Sequence, residues 1–179
     1  TAEDCALVFH AIIGTDGKDQ SLVDLPFNYN PNTSLSDLRI GYLKDLFEVD
    51  YFNKKNDSLS LEVLKKLGAN LKAVKLPDNI PVAALRPILS VEAAAAFDEL
   101  TRSNLDSTLV RQIRFAWPNV FRAARMVSAV EYVQANRLRY MLIQQMNELM
   151  KDYDVIVSPS FGGTQLLITN LTGHPCVVV

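Results

Sequence analysis

Apolar residues recur along this chain with helical and strand periods in turn. In TAEDCALVFHAIIG, Ala6, Val8, Phe9, Ile12 and Ile13 form one broad face at helical spacing. Thr1 is the N-cap of that helix, Asp4 imitates a capping box three residues on, and Gly14 stops it. The segment TDGKDQSLVDLPFNYNPNTS is dense in Asp, Asn, Gly and Pro and predicts a long surface connection. Its acidic residues lack the spacing of a calcium loop. LRIGYL, short, apolar and flanked by charge, predicts a buried strand. Leu61, Leu64 and Leu67, followed by Gly68, predict a helix, and LKAVKL a second strand. Strand, helix and strand in this order imply a right-handed crossover between parallel strands. Within it, DLFEVDYFNKKND reads as a loop.

From about Ser90 the pattern turns helical. VEAAAAFDEL and STLVRQIRF predict helices, and Pro118 suits the first turn of another. The stretch VSAVEYVQANRLRYMLIQQMNELMK predicts one long helix. Its buried stripe would be Val127, Val130, Leu138, Met141, Leu142, Met146 and Leu149. DVIVSP then predicts a buried strand ended by proline, and GTQLLITNLTGHPCVVV has room for a further strand after a polar turn.

Composition narrows the class without naming a function. A chain of 179 residues with 49% hydrophobic and 21% charged residues has the make-up of one globular domain. The net charge of -2 gives no global reason to expect nucleic acid or an anionic membrane as partner. No apolar run approaches the roughly 20 residues of a membrane span, and the start carries no signal-peptide pattern, so a soluble, cytoplasmic chain is expected. Cys5 and Cys176 have neither disulfide-framework nor zinc spacing and are expected as small buried residues.

Candidate chemistry is sparse. His10 and His174 lack the companions a triad needs, and Cys5 lies about 140° around the helix from His10 by the 3.6-residue period. FGG with Thr164 resembles a fragment of a phosphate loop, without the lysine and helix that would complete it. In RQIRFAWPNVFRAAR, Arg111, Arg114, Arg122 and Arg125 alternate with Phe115, Trp117 and Phe121. Such a stretch suits a phosphate backbone and stacked bases, or else arginines paired with carboxylates elsewhere and aromatics packed inward. The second reading is preferred, because basic local charge in a near-neutral chain is a weak signal.

Five stretches, in order, resemble the amidase signature family of serine hydrolases. TAEDCALVFHAIIGTDGKDQSLVD is similar to the segment after the family's catalytic serine loop, and LRIGYLKD to the strand that follows it. LEVLKKLGANLKAVKLP resembles the next helix and strand, YDVIVSP the Tyr-Asp-x-x-x-x-Pro strand, and TNLTGHPCVVV the Asn-x-x-Gly-x-Pro strand. The resemblance covers nearly all of the chain except the variable stretch 79–125. It implies an α/β protein, part of the amidase signature fold, with a mixed β-sheet flanked by helices.

The resemblance also implies what the chain does not carry. Family members cleave carboxamides with a serine nucleophile, a second serine held by a cis peptide and a lysine base, in and upstream of a Gly-Gly-Ser-Ser-Gly-Gly segment. No such segment occurs here, so residues 1–179 are expected to form one incomplete domain with no catalytic residues, inactive alone. The run that ends at Val179 would be a central strand of the larger hydrolase. Its partners would be a small amide substrate, the missing N-terminal part of the same protein and a second copy in a homodimer, with no membrane, nucleic acid, metal or cofactor. Phe97, Phe115 and Trp117 in the variable stretch, and Ser160, Thr169 and Asn170 at a strand end, are the candidate substrate contacts. Two alternatives stand beside a free-standing amidase. One is the glutaminase subunit of a tRNA-dependent amidotransferase, although AAAAFDEL stands where that subunit's Tyr-Asp-Gly-like segment is expected. The other is a non-catalytic interaction module.

Overall fold

The computed structural model describes residues 1–20, 22–160 and 162–178. Helix α1 (Ala2–Ile12) begins as its sequence dictates: the Thr1 side chain accepts from the Asp4 amide at 3.1 Å, and the Asp4 carboxylate returns to the N-cap. Among the described residues, little covers its apolar face. Only Ala6 is buried, while Leu7, Val8, Phe9 and Ile12 are exposed, apart from an edge-on contact of Phe9 with Phe27. Cys5, on the same helix, and Cys176 are both exposed. This corrects the expectation of buried thiols, whose apolar surroundings lie on uncovered elements.

Strand β1 (Ile40–Tyr42) occupies the middle of a parallel sheet, with β2 (Leu71–Ala73) on one side and β3 (Val155–Val157) on the other. Ile40 lies opposite Leu71 and Val155. The α/β class and the flanking helices are as the sequence implied, and the three described strands are all parallel. Between β1 and β2 the chain forms α2 (Lys44–Glu48) and α3 (Lys54–Lys66). Helix α2 replaces part of the predicted loop, because Phe47 is buried and anchors that turn. Gly41 is required at the sheet centre. A Cβ there would meet Tyr153 Cδ1 and Val74 Cγ1, each at 3.0 Å.

The larger hydrophobic cluster lies among the helices. It joins Leu85 and Ile88 at the start of α4 (Pro87–Ala96), Leu142 and Met146 of α7 (Ala129–Met150), and Ile168 and Leu171 of α8 (Gln165–Thr172). The stripe predicted for the long helix is therefore right at Leu142 and Met146 and wrong at two positions. Val130 and Met141 are exposed, because only one side of α7 meets α4 and α8. A smaller cluster packs Ala94 of α4 against Phe121 and Ala124 of α6 (Trp117–Ala124), whose first turn holds Pro118 as predicted. Between them lies α5 (Asp98–Arg102).

Two predicted elements differ. STLVRQIRF is not an α-helix: after a 3-10 turn at Leu105–Thr108 the chain is irregular. The Gln112 side-chain amide donates to the carbonyls of Asp106 at 2.9 Å and Leu109 at 2.8 Å, taking oxygens that a helix would use. Val110 and Ile113 stay exposed, so nothing buried rewards a helical stripe. The predicted last strand is instead helix α8, because Gln165, Ile168 and Leu171 recur every third residue and are buried together. Gly173, at φ 77°, ends that helix, and residues 174–178 belong to no helix or strand. Phe161 of the FGG turn and Val179 lie outside the described residues.

Candidate functional site

Parallel sheets place ligands beyond the carboxyl ends of their strands, which directs attention to the turns leaving β1, β2 and β3. At the ends of β1 and β2, the Lys75 ammonium and the Asp45 carboxylate meet at 2.9 Å, which raises the lysine pKa. Leaving β3, Pro159 is buried and Ser160 is exposed. Gly162 and Gly163 then lie against the Leu46 side chain of α2, where an added Cβ on either would stand 3.2 Å from it. Gly163 also has φ +54°, which favours glycine. These glycines turn the chain from strand to helix rather than from strand to strand, and the helix that the sequence does not announce after FGG is α8.

Beyond this turn, α4 and α8 border a groove of about 460 Å³. Its lining includes Leu85, Ile88, Leu89, Leu166, Gly163 and Asn170. Two of the predicted contact residues lie on α8. The Thr169 hydroxyl donates to the Leu166 carbonyl at 3.0 Å, and the Asn170 amide to the same oxygen at 2.7 Å. The Thr169 hydroxyl and one N–H of the Asn170 amide are therefore spent on their own helix, and Asn170 is part of the groove lining.

The predicted aromatic contacts divide. Phe97 and Trp117 each stack on one buried ring, Phe121, at centroid distances of 5.1 and 5.5 Å. Each is half-exposed, so the pair packs and presents a surface at once. Phe115 does not join them. It is 81% exposed and carries the Arg114 guanidinium 5.3 Å from its ring centroid.

Two of the four arginines of this stretch pair with carboxylates. Arg122 pairs at 2.6 Å with Asp106, whose side chain is 1% exposed, and Arg125 with Asp98. Hydrogen bonds from Arg125, and then Arg102, hold the Asp98 pKa below its ordinary value. Arg139 of α7 donates through Nε to the Leu171 carbonyl at 2.6 Å. Its guanidinium lies 3.9 Å from Glu92, which accepts from the Tyr132 hydroxyl at 3.0 Å, so this network ties α4, α7 and α8 together. Sequence reasoning missed Asp106 and the Glu92–Tyr132–Arg139 network. Asp106 sits in the polar run SNLDST, which reads as surface, and no periodicity marks a buried carboxylate.

A parallel α/β sheet flanked by helices matches the class that the amidase resemblance implied. The chain belongs to the amidase family, whose sequence model matches residues 1–177. Among individual proteins it is similar to the A-type subunit of the glutamyl-tRNA(Gln) amidotransferase of Pseudomonas entomophila (strain L48), 30% identical over 200 residues, covering 98% of this chain and 41% of that protein. The corresponding protein of Pseudomonas putida (strain W619) is 39% identical over 83 residues, 44% of this chain and 17% of that protein. That of Pseudomonas fluorescens (strain SBW25) is 34% identical over 84 residues, again 44% of this chain and 17% of that protein. The chain thus spans about two fifths of the length of the first of these relatives and matches less of the others.

Proposed function

We propose that these residues are part of an amidase that hydrolyses carboxamide C–N bonds by serine acyl transfer. In this reading the serine nucleophile, its partner serine and the lysine base come from a segment of the same polypeptide outside residues 1–179. The carrying observation is the family match over residues 1–177. In such a reaction the serine oxygen attacks the amide carbonyl, the nitrogen leaves with a proton, and water releases the acid from the acyl-enzyme. This chain supplies the other side of the pocket: the β3–α8 turn with Ser160, the α8 residues Thr169 and Asn170, and the aromatic surface of Phe97 and Trp117 within the variable stretch 79–125. Phe115 contributes only through a rearrangement that brings it to the same wall. The uncovered apolar face of α1 is the surface against which the missing segment packs. The proposed setting is the cytoplasm, with no membrane partner. Among the described residues no helix is long and apolar enough to cross a membrane.

The test is ammonia release from a panel of carboxamides by the full-length gene product, with residues 1–179 alone as control. Turnover by the full-length protein and none by the control is expected. A full-length sequence without a Gly-Ser-Ser segment, or one that releases no ammonia, overturns the reading and leaves the interaction module.

A second reading follows from the amidotransferase relatives: a glutaminase subunit of a tRNA-dependent amidotransferase. It predicts that a partner protein copurifies, and that ammonia release from glutamine depends on that partner. A protein active alone on simple carboxamides excludes it.

A further inference from the structure

The end of α8 cannot satisfy itself. Within a helix a carbonyl is taken by the amide four residues on, and for Leu171 that residue is Pro175, which has no N–H. The His174 amide, three residues on, already donates to the Thr169 carbonyl at 3.1 Å, as the Gly173 amide does at 2.9 Å. The Leu171 carbonyl is met instead from another helix, by Nε of Arg139 on α7 at 2.6 Å. The guanidinium thus stands at the negative end of the α8 dipole, where a cation is favoured. It is held there in turn: its Nη1 lies 3.9 Å from Glu92 of α4, whose carboxylate accepts from the Tyr132 hydroxyl at 3.0 Å. Arg137, two residues away, makes no such bridge. Its side chain is exposed and donates to Gln134 of the same helix at 3.4 Å.

We propose that Arg139 is a positioning residue of the enzyme: through the Leu171 carbonyl it fixes the last turn of α8, and with it Thr169 and Asn170, in the place where they meet the substrate. The inference rests on the amide-hydrolase reading above. Thr169 and Asn170 are both bonded to the Leu166 carbonyl, so their directions follow the helix that carries them. A last turn free to shift would carry both side chains with it. Acyl transfer to a serine requires the amide carbonyl to be held in line with the nucleophile, and a displacement of about 1 Å in the groups that orient it can cost about 100-fold. Arg139 touches no reacting atom and acts on orientation, so its loss falls on kcat rather than on KM.

The experiment measures kcat and KM of the full-length gene product by ammonia release, on whichever of acetamide, benzamide and L-glutamine the wild type turns over fastest. Arg139→Met removes the donor, Arg139→Gln withdraws it from reach, Arg139→Lys keeps one, and Arg137→Met is the control; melting temperatures establish which variants fold. The folded Met and Gln variants are expected to lose about tenfold or more in kcat, with KM within about threefold of the wild type. Arg139→Lys should regain at least about threefold of that loss, because an ammonium still reaches the carbonyl without the planar fork. Arg137→Met should match the wild type. A kcat within about twofold of the wild type in a folded Met or Gln variant, a loss confined to KM, a Lys variant no better than Met, or an equal loss in Arg137→Met overturns the inference and leaves an amidase. Failure of both the Met and Gln variants to fold also overturns it, because Arg139 then holds the fold and not the site. A wild type that hydrolyses none of the three amides overturns the amidase reading, and the inference with it.

Discussion

Replacing Leu142 by alanine, set against the same change at Met141 next to it, tests the packing that positions the groove. Leu142 is 0% exposed and lies in the cluster with Leu85, Ile88, Ile168 and Leu171, whereas Met141 is 48% exposed on the same helix. Truncating Leu142 removes three carbons from a site without water, about 2.4 kcal/mol at ~0.8 kcal/mol per methylene. The cavity left behind adds to this, because α4 and α8 are held apart by their own contacts, and the sum falls within the roughly 2.7–5 kcal/mol found for fully buried leucines. Met141→Ala loses only partial burial and gains slightly in helix propensity, so it should cost less than about 1 kcal/mol. Equilibrium urea unfolding of the full-length gene product, followed by circular dichroism, gives both values. Against a typical stability of about 5–15 kcal/mol the difference is large. Equal losses, or a loss below about 1 kcal/mol for Leu142→Ala, would mean that α7 does not present this face to α4 and α8.

Two further outcomes follow from charged groups. Arg39 donates to Asp154 from its backbone amide at 2.8 Å and from its guanidinium at 3.2 and 2.6 Å, clamping the start of β3 beside β1. These bonds lower the Asp154 pKa from 3.8 to about 2. A depressed carboxyl pKa stabilises the fold above its unfolded value, and that stability is lost as pH falls from about 4 towards 2. Asp154→Asn should flatten this acid limb in unfolding curves recorded from about pH 6 down to about pH 2, and an unaltered limb would refute the clamp. The Asp106–Arg122 pair should respond unequally to its two truncations, because the Asp106 side chain is buried while that of Arg122 is 43% exposed. Arg122→Met orphans a buried carboxylate and should cost about 3 kcal/mol, whereas Asp106→Asn leaves a guanidinium that water still reaches and should cost less. Thermal melts of both variants check the order, and the reverse order would show Asp106 to be solvated.

What was legible in the sequence was whatever leaves a local pattern. The Thr1–Asp4 capping box, Pro118 in the first turn of α6, Gly68 after α3 and the three short apolar strands each follow from adjacent residues alone. The two errors differ in cause: in one, long-range contact overrides the local pattern, and in the other a local side-chain bond does. LLITNL carries β-branched residues and reads as a strand, yet Ile168 and Leu171 are drawn onto Leu142 and Met146 and the segment is helical. STLVRQIRF reads as a helix, yet Gln112 claims the carbonyls that the helix needs. Of the candidate site, Phe97, Trp117 and Asn170 came, as candidates, from residue types within the family resemblance. Asp106 and the Glu92–Tyr132–Arg139 network did not, since ion pairs join residues that no short-range spacing relates.

The arrangement of these pairs bears on how the variable stretch 79–125 works. Asp98 binds Arg102 and Arg125, Asp106 binds Arg122, and Gln112 closes the intervening turn, so three ion pairs and one side-chain amide hold the stretch to itself. At its start, Leu85 and Ile88 belong to the same cluster as Ile168 of α8, and the Arg139 bridge from Glu92 to the Leu171 carbonyl ties α4 to α8. A segment locked internally and fastened to α8 at one end can change its exposed residues without disturbing the sheet. Phe115, Val110 and Leu89 lie on the exposed side of this frame, which Asp106, Arg122 and Phe121 hold.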